Sequence, residues 1–235
     1  MKRALLLTGG ALCLLAAALE PHVYKDGTER AVAHWNAQHD AYVERAAAGG
    51  ISILFLGDSL TYAWSLDGRD VWRSDFEPLG AVAFGIGGDR TGDVLWRIEN
   101  GELEGSGASI VVLLVGTNDL AVGTSVDATA DGVAACVRAI RARLPQANVL
   151  VLGLPPRGAG DATTPIRRSV AALNARLAKL ADGQRVRYVE LTPAFVDAGG
   201  AVRPELFHPD LIHFSAAGYR ALADILRPAL APVRR

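Results

Sequence analysis

The chain has 235 residues, of which 50% are apolar and 21% charged, with a formal net charge of −1. That length suffices for one well-buried domain and is too short for two comfortable ones, and the composition is that of a globular protein. Lys and Arg are scattered, with no basic stripe and no acidic tail, which excludes a nucleic-acid binder or a partner recruited by bulk charge.

The chain opens with Met1-Lys2-Arg3, a short positive start, and then the apolar run Ala4 to Leu19. With the small residues Ala16-Ala17-Ala18 at cleavage-site spacing, residues 1–18 read as a secretory signal peptide cut near Ala18. The run is too short for a membrane span. The expected location is therefore secreted or periplasmic, without a stable membrane span after cleavage; an uncleaved anchor is the alternative. Lipid attachment at Cys13 is disfavoured by the large Leu12 before it. Cys13 and Cys136 are the only cysteines, so a processed chain has no internal disulfide. Cys136 lies in an apolar helical pattern and is expected as a small buried residue. No Cys/His cluster has zinc spacing.

Residues 19–50 form an N-terminal helical segment. Its part from about 28 to 48, with Trp35 and Tyr42, is amphipathic and ends at Gly49-Gly50. The remaining domain, 51–235, alternates apolar runs with helical patterns. The runs are Ile51–Leu56, Ala81–Phe84, Ile110–Val115, Val149–Leu154 and Val186–Leu191. The helical patterns cover about 91–99, 126–143, 165–181 and Ser215 to about Leu226. This alternation predicts an α/β fold, a three-layer α/β/α sandwich with a mostly parallel five-stranded sheet and right-handed crossovers. The Pro/Gly-rich stretch Leu154–Pro165 reads as a strand-to-helix loop.

Reactive residue types follow the predicted strands in turn: Ser59 the first, Gly88 the second, Asn118 the third and Arg157 the fourth. In a parallel sheet these positions share one edge, where open α/β sheets place their chemistry. Asp58-Ser59 alone reads as a helix cap. A base changes that reading, because serine near neutral pH needs one to accept its proton. Asp210-Leu211-Ile212-His213 supplies it: on one helical turn or in a tight loop, Asp210 can hold one imidazole nitrogen of His213 and leave the other for Ser59. His208, followed by Pro209, is the rival base, while His22, His34 and His39 read as surface or packing residues. Backbone N–H groups of Ser59 and Gly88 and the side-chain amide of Asn118 can stabilise an oxyanion. Leu60, Thr117 and Ile212 adjoin these groups and are candidates to wall a small acyl pocket. Arg157 reads as a solvated loop arginine. The dinucleotide fingerprint fails because Gly85-x-Gly87 leads to Arg90, and the nucleophile elbow fails because position 61 is Thr.

With these residues in hand, the chain resembles the GDSL or SGNH hydrolases. Gly57-Asp58-Ser59-Leu60 matches their first block, Gly88 the second, Gly116-Thr117-Asn118-Asp119 the third and Asp210-x-x-His213 the last. The stretches Phe84–Asp89, Val94–Leu103 and Val151–Gly158 look like the branch that holds the catalytic subunits of platelet-activating factor acetylhydrolase Ib and their bacterial relatives. Ala83 departs from that branch, which often has Asn there. The resemblance implies a flavodoxin-like sheet, no metal and no cofactor, and hydrolysis of small acyl esters, the substrate being a small-molecule or glycan ester. It implies Ser59 as nucleophile, His213 as base, Asp210 as its orienter, and Ser59, Gly88 and Asn118 as oxyanion donors, and it admits a homodimer. A thioesterase or lysophospholipase on the same triad, or a non-catalytic carbohydrate-binding module retaining the fold, are the competing readings.

Overall fold

The computed structural model describes residues 29–231. The expected signal segment 1–18, with Cys13, and His22 lie outside the described residues. Helix α1 (Glu29–Ala47) comes first and ends where Gly49 and Gly50 take positive φ. Then come β1 (Ile53–Gly57), the short α2 (Ser59–Tyr62) and α3 (Arg69–Val71), β2 (Ala81–Gly85) and α4 (Thr91–Glu99). They are followed by β3 (Ile110–Leu114), α5 (Thr117–Ala121), α6 (Val126–Arg143), β4 (Asn148–Leu152) and α7 (Pro165–Leu177). The chain closes with β5 (Val186–Val189), α8 (Thr192–Phe195) and α9 (Ala216–Leu230).

The five strands are all parallel, in the order β2-β1-β3-β4-β5. This is the expected three-layer sheet in the flavodoxin-like order, whose direction of winding switches between β1 and β3. The central strands β1 and β3 are buried at every residue, as continuous Ile/Leu/Val/Phe runs covered on both faces must be. One side of that core is aromatic: Phe55, Trp64, Trp72, Phe76 and Tyr219 meet edge-on or tilted. Cys136 is buried, its thiol donating weakly to the Thr91 carbonyl at 3.4 Å.

The sheet edge that carries the reactive residues is drawn tight by close backbone approach. A Cβ at Gly85 would lie 2.1 Å from the Tyr62 nitrogen and 2.6 Å from the Asp58 carbonyl oxygen. Only glycine lets the end of β2 press against α2 there. Among the described residues, no helix is long and apolar enough to cross a membrane.

Candidate active site

Ser59 sits two residues beyond the end of β1 and opens α2. Asp58 caps that helix, its Oδ1 accepting from the Leu60 N–H at 2.9 Å. The cap reading of Asp58 is thus compatible with a free Ser59 side chain. As the first helical residue, Ser59 has a backbone N–H with no carbonyl one turn back.

His213 and Asp210 reach Ser59 from the far end of the chain, in a wound loop rather than on a helical turn. Phe207 and Phe214 form an antiparallel bridge, and the His208 N–H donates to the His213 carbonyl at 2.8 Å. Between them Leu211 takes φ +52°, a left-handed conformation rare for a bulky residue. The turn lets Asp210 Oδ1 accept from the N–H groups of Ile212 (2.9 Å) and His213 (3.0 Å), while its Oδ2 lies 2.6 Å from His213 Nδ1. Burial pushes the Asp210 carboxyl up, but the imidazole and these two N–H groups outweigh it and hold the pKa down at about 2. An ionised carboxylate accepts only, so Nδ1 carries the proton and Nε2 presents its lone pair. Nε2 lies 2.9 Å from Ser59 Oγ, across 154 residues of sequence. His208, the rival, instead pairs with Asp67 at 3.1 Å.

Gly88 and Asn118 follow β2 and β3 at the same sheet edge. Gly88 has φ +82°, in the loop after β2. Asn118, in the first turn of α5, donates one Nδ2 hydrogen to the Asp89 carbonyl at 2.9 Å, which fixes the amide's orientation and leaves its second hydrogen. Asp119 beside it is buried and accepts from both the N–H (3.0 Å) and the hydroxyl (2.7 Å) of Thr91, tying this block to the start of α4. Of the pocket candidates, Leu60 and Thr117 are buried and Ile212 is half-buried. Arg157 corrects its sequence reading: it is half-buried, not solvated, and its Nη1 donates to the carbonyl and hydroxyl of Thr117, both at 2.7 Å. Burial lowers its pKa against the opposing charges of Asp58 and Asp210.

A buried ionic network behind these loops is invisible in the motifs. Arg97, on α4, is fully buried. Its Nη1 donates to the Gly57 carbonyl (3.1 Å) and to Asp89 (2.5 Å), and its Nη2 to the Phe84 carbonyl (2.7 Å). Nε and Nη2 also grip Glu102, each at 2.8 Å. One guanidinium therefore pins the ends of β1 and β2 and the loop carrying Gly88. Burial opposes its charge, and Glu102 and Asp89 more than offset this, raising its pKa. Helix α1 joins the network through Trp35 Nε1, which donates to Asp89 at 2.8 Å, and through His39, 2.9 Å from Glu102. A run such as Trp96-Arg97-Ile98 reads as amphipathic helix; the one sequence signal for the network is an arginine on the apolar face of α4.

Taken together, a hydroxyl aligned with an oriented imidazole can carry out acyl transfer. Comparisons agree. Residues 55–221 match the model of the GDSL-like Lipase/Acylhydrolase family. The chain is 37% identical over 215 residues to platelet-activating factor acetylhydrolase IB subunit alpha2 of Gallus gallus, covering 90% of this chain and 87% of that protein. It is 38% identical over 202 residues to the alpha1 subunit of Homo sapiens, covering 84% of each. Solved structures with the same fold include a GDSL-like lipase from Bacteroides thetaiotaomicron (TM-score 0.67, 21% identity, 83% of this chain and 98% of that one). An acetyl xylan esterase shares it too (TM-score 0.65, 24% identity, 77% of this chain and all of that one). The chain belongs to the GDSL-like lipase/acylhydrolase family and is an acylhydrolase.

Proposed function

We propose that the protein is a serine esterase that cleaves short-chain acyl esters, acetyl esters above all, through an acyl-enzyme on Ser59. The observation that carries this reading is the unbroken relay from Asp210 Oδ2 to His213 Nδ1 at 2.6 Å and from His213 Nε2 to Ser59 Oγ at 2.9 Å.

Ser59 Oγ attacks the ester carbonyl carbon as His213 Nε2 takes its proton, and Asp210 holds the imidazolium that results. The negative charge on the carbonyl oxygen is met by the N–H groups of Ser59 and Gly88 and the free amide hydrogen of Asn118. The carbon–oxygen bond to the alcohol breaks, the alcohol leaves with the proton from His213, and water repeats the sequence on the acyl-enzyme. Leu60, Thr117 and Ile212 wall the acyl side. Thr117 is held in place by Arg157, and a wall of these three side chains favours an acetyl group over a long chain. The names of the relatives, acetylhydrolase and acetyl xylan esterase, agree with acetyl as the acyl part. The alcohol is that of an acetylated carbohydrate or lipid. The Met1–Leu19 pattern supports export, which sequencing the N-terminus of the protein recovered outside the cytoplasm would test.

Ser59→Ala is expected to abolish hydrolysis of p-nitrophenyl acetate, by about 10⁴-fold or more, while circular dichroism and the melting curve stay those of the parent. Full turnover in that variant would remove Ser59 from the role.

A further inference from the structure

A cleft of about 200 Å³ lies between α1 and the loop that follows β2, lined by Ala31, His34, Trp35 and Gln38 of α1 and by Tyr62, Ile86 and Gly87. Two of its lining residues, Tyr62 and Gly87, lie close along the chain to the candidate catalytic residues Ser59 and Gly88. Tyr62 follows Ser59 by three residues on α2, an axial rise of about 4.5 Å. Gly87 directly precedes Gly88, about 3.8 Å away along the chain. The walls are mainly apolar: Trp35 is nearly fully buried, Ile86 is buried, and Tyr62 is one of three large hydrophobic residues recorded as exposed among the described residues. Helix α1 lies before the matched family region 55–221, so one whole wall is added to the catalytic domain by the preceding segment.

We propose that this cleft is the leaving-group subsite and takes an apolar alcohol portion of the ester, an alkyl chain or ring of about six carbons. This rests on the esterase reading and deepens it. On that reading the acyl part is small, so bulk in the substrate falls to the alcohol. The volume matches, since it equals about seven groups of water size. Each methylene withdrawn from water strengthens binding roughly fourfold, and a hexyl group seated there would gain far more over methyl than a solvent-exposed one. Asp89 and Arg97 hold the floor rigid through Trp35 and the loop, so the subsite is preformed and binding spends little on ordering it.

The test compares methyl acetate, hexyl acetate, methyl hexanoate and glucose pentaacetate on the parent protein and on Ala31→Phe and Gln38→Phe, which fill the cleft from α1 without touching the triad. The kcat/KM ratio of hexyl acetate to methyl acetate is expected to fall at least tenfold in both variants, with the methyl hexanoate ratio and the glucose pentaacetate ratio unmoved. A hexyl acetate ratio unchanged in both folded variants overturns the proposal. So does a loss borne by methyl hexanoate, which would make the cleft an acyl site, or by the sugar acetate, which would make it a carbohydrate site. Titrating 1-hexanol onto Ser59→Ala and following the Trp35 indole N–H by NMR gives a readout independent of turnover. A saturable shift, abolished by Ala31→Phe, supports the subsite, and no shift at saturating hexanol overturns it. A parent that hydrolyses none of the esters would remove the esterase reading, and the hexanol titration would still decide the cleft.

Discussion

Single side chains at this site serve two masters, and Asn118 shows it in the smallest compass. One of its amide hydrogens is committed to the Asp89 carbonyl, and on the esterase proposal the other meets the developing charge without reorganisation. Asn118→Ala is expected to lower kcat for methyl acetate by about 10²–10³ with far less change in KM; kcat within threefold of the parent would exclude it as a donor. Asp58 is the second case. Its Oδ1 caps α2, but its Oδ2 is buried and has no hydrogen-bond partner. Burial pushes its carboxyl up to about 7, against the Leu60 N–H, and the charges of Asp89 and Asp119 push the same way; Arg157 and Tyr219 also face it. The folded chain thus binds this proton more tightly than the unfolded chain does. That contribution to stability is fully present below about pH 4 and is lost as the pH rises from about 4 to about 7. Asp58→Asn keeps the cap acceptor and removes the titration. In urea unfolding, the variant is expected to gain on the parent by on the order of 3 kcal/mol between pH 4 and pH 8. Parallel pH profiles for the two proteins would show that Asp58 does not titrate in this window.

Elements follow the sequence closely where one periodicity dominates and depart from it where tertiary contacts take over. Helices α4 and α6 run over Thr91–Glu99 and Val126–Arg143, the bounds their apolar spacing predicts, because each presents one clean stripe to the sheet. The strand read from Ile51 starts only at Ile53, since the Ile51 N–H turns away to the Ser106 carbonyl. The last helix was expected to stop near Leu226, yet α9 continues through Pro228 to Leu230. Burial of Leu230 at 1% exposure offsets the hydrogen bond that proline removes. Between β1 and β2, the short α2 and α3 are held by the aromatic cluster around Phe55 rather than by a local period. Arg97 is the strongest departure: a charge on the buried face of α4, tolerated because both carboxylates and two carbonyls at strand ends saturate it. Arg97→Met would leave Asp89 and Glu102 buried without their cation. A loss of about 3–5 kcal/mol in unfolding free energy is expected, read from urea unfolding at pH 7; a loss below about 1 kcal/mol would mean the network relaxes without its centre.

Across the whole molecule, what could be read early was convergence: four loops after four strands, meeting where the winding of the sheet reverses. Ser59, Gly88, Asn118 and Arg157 could be put on one edge because each follows a strand of a parallel sheet. The Asp210–His213 turn could be placed near them only by chemical need, since its path depends on Leu211 adopting a left-handed conformation. What could not be read was the reach of α1, because an amphipathic helix announces a buried face but not its partners. Trp35 and His39 turn that face into a second anchor for the Gly88 loop, some 50 residues further along the chain. If the anchor is mechanical as well as packed, cutting it is felt at the loop rather than only in α1. Trp35→Phe keeps a ring in place and removes the N–H, leaving the buried Asp89 Oδ1 short of a donor, a cost of about 1–3 kcal/mol. Amide exchange at Gly87, Gly88 and Asp89 is expected to quicken, and kcat for methyl acetate to fall three- to tenfold with KM little changed. Faster exchange confined to α1, with kcat intact, would reduce the helix to a lid on the sheet and leave the loop braced by Arg97 and Asn118.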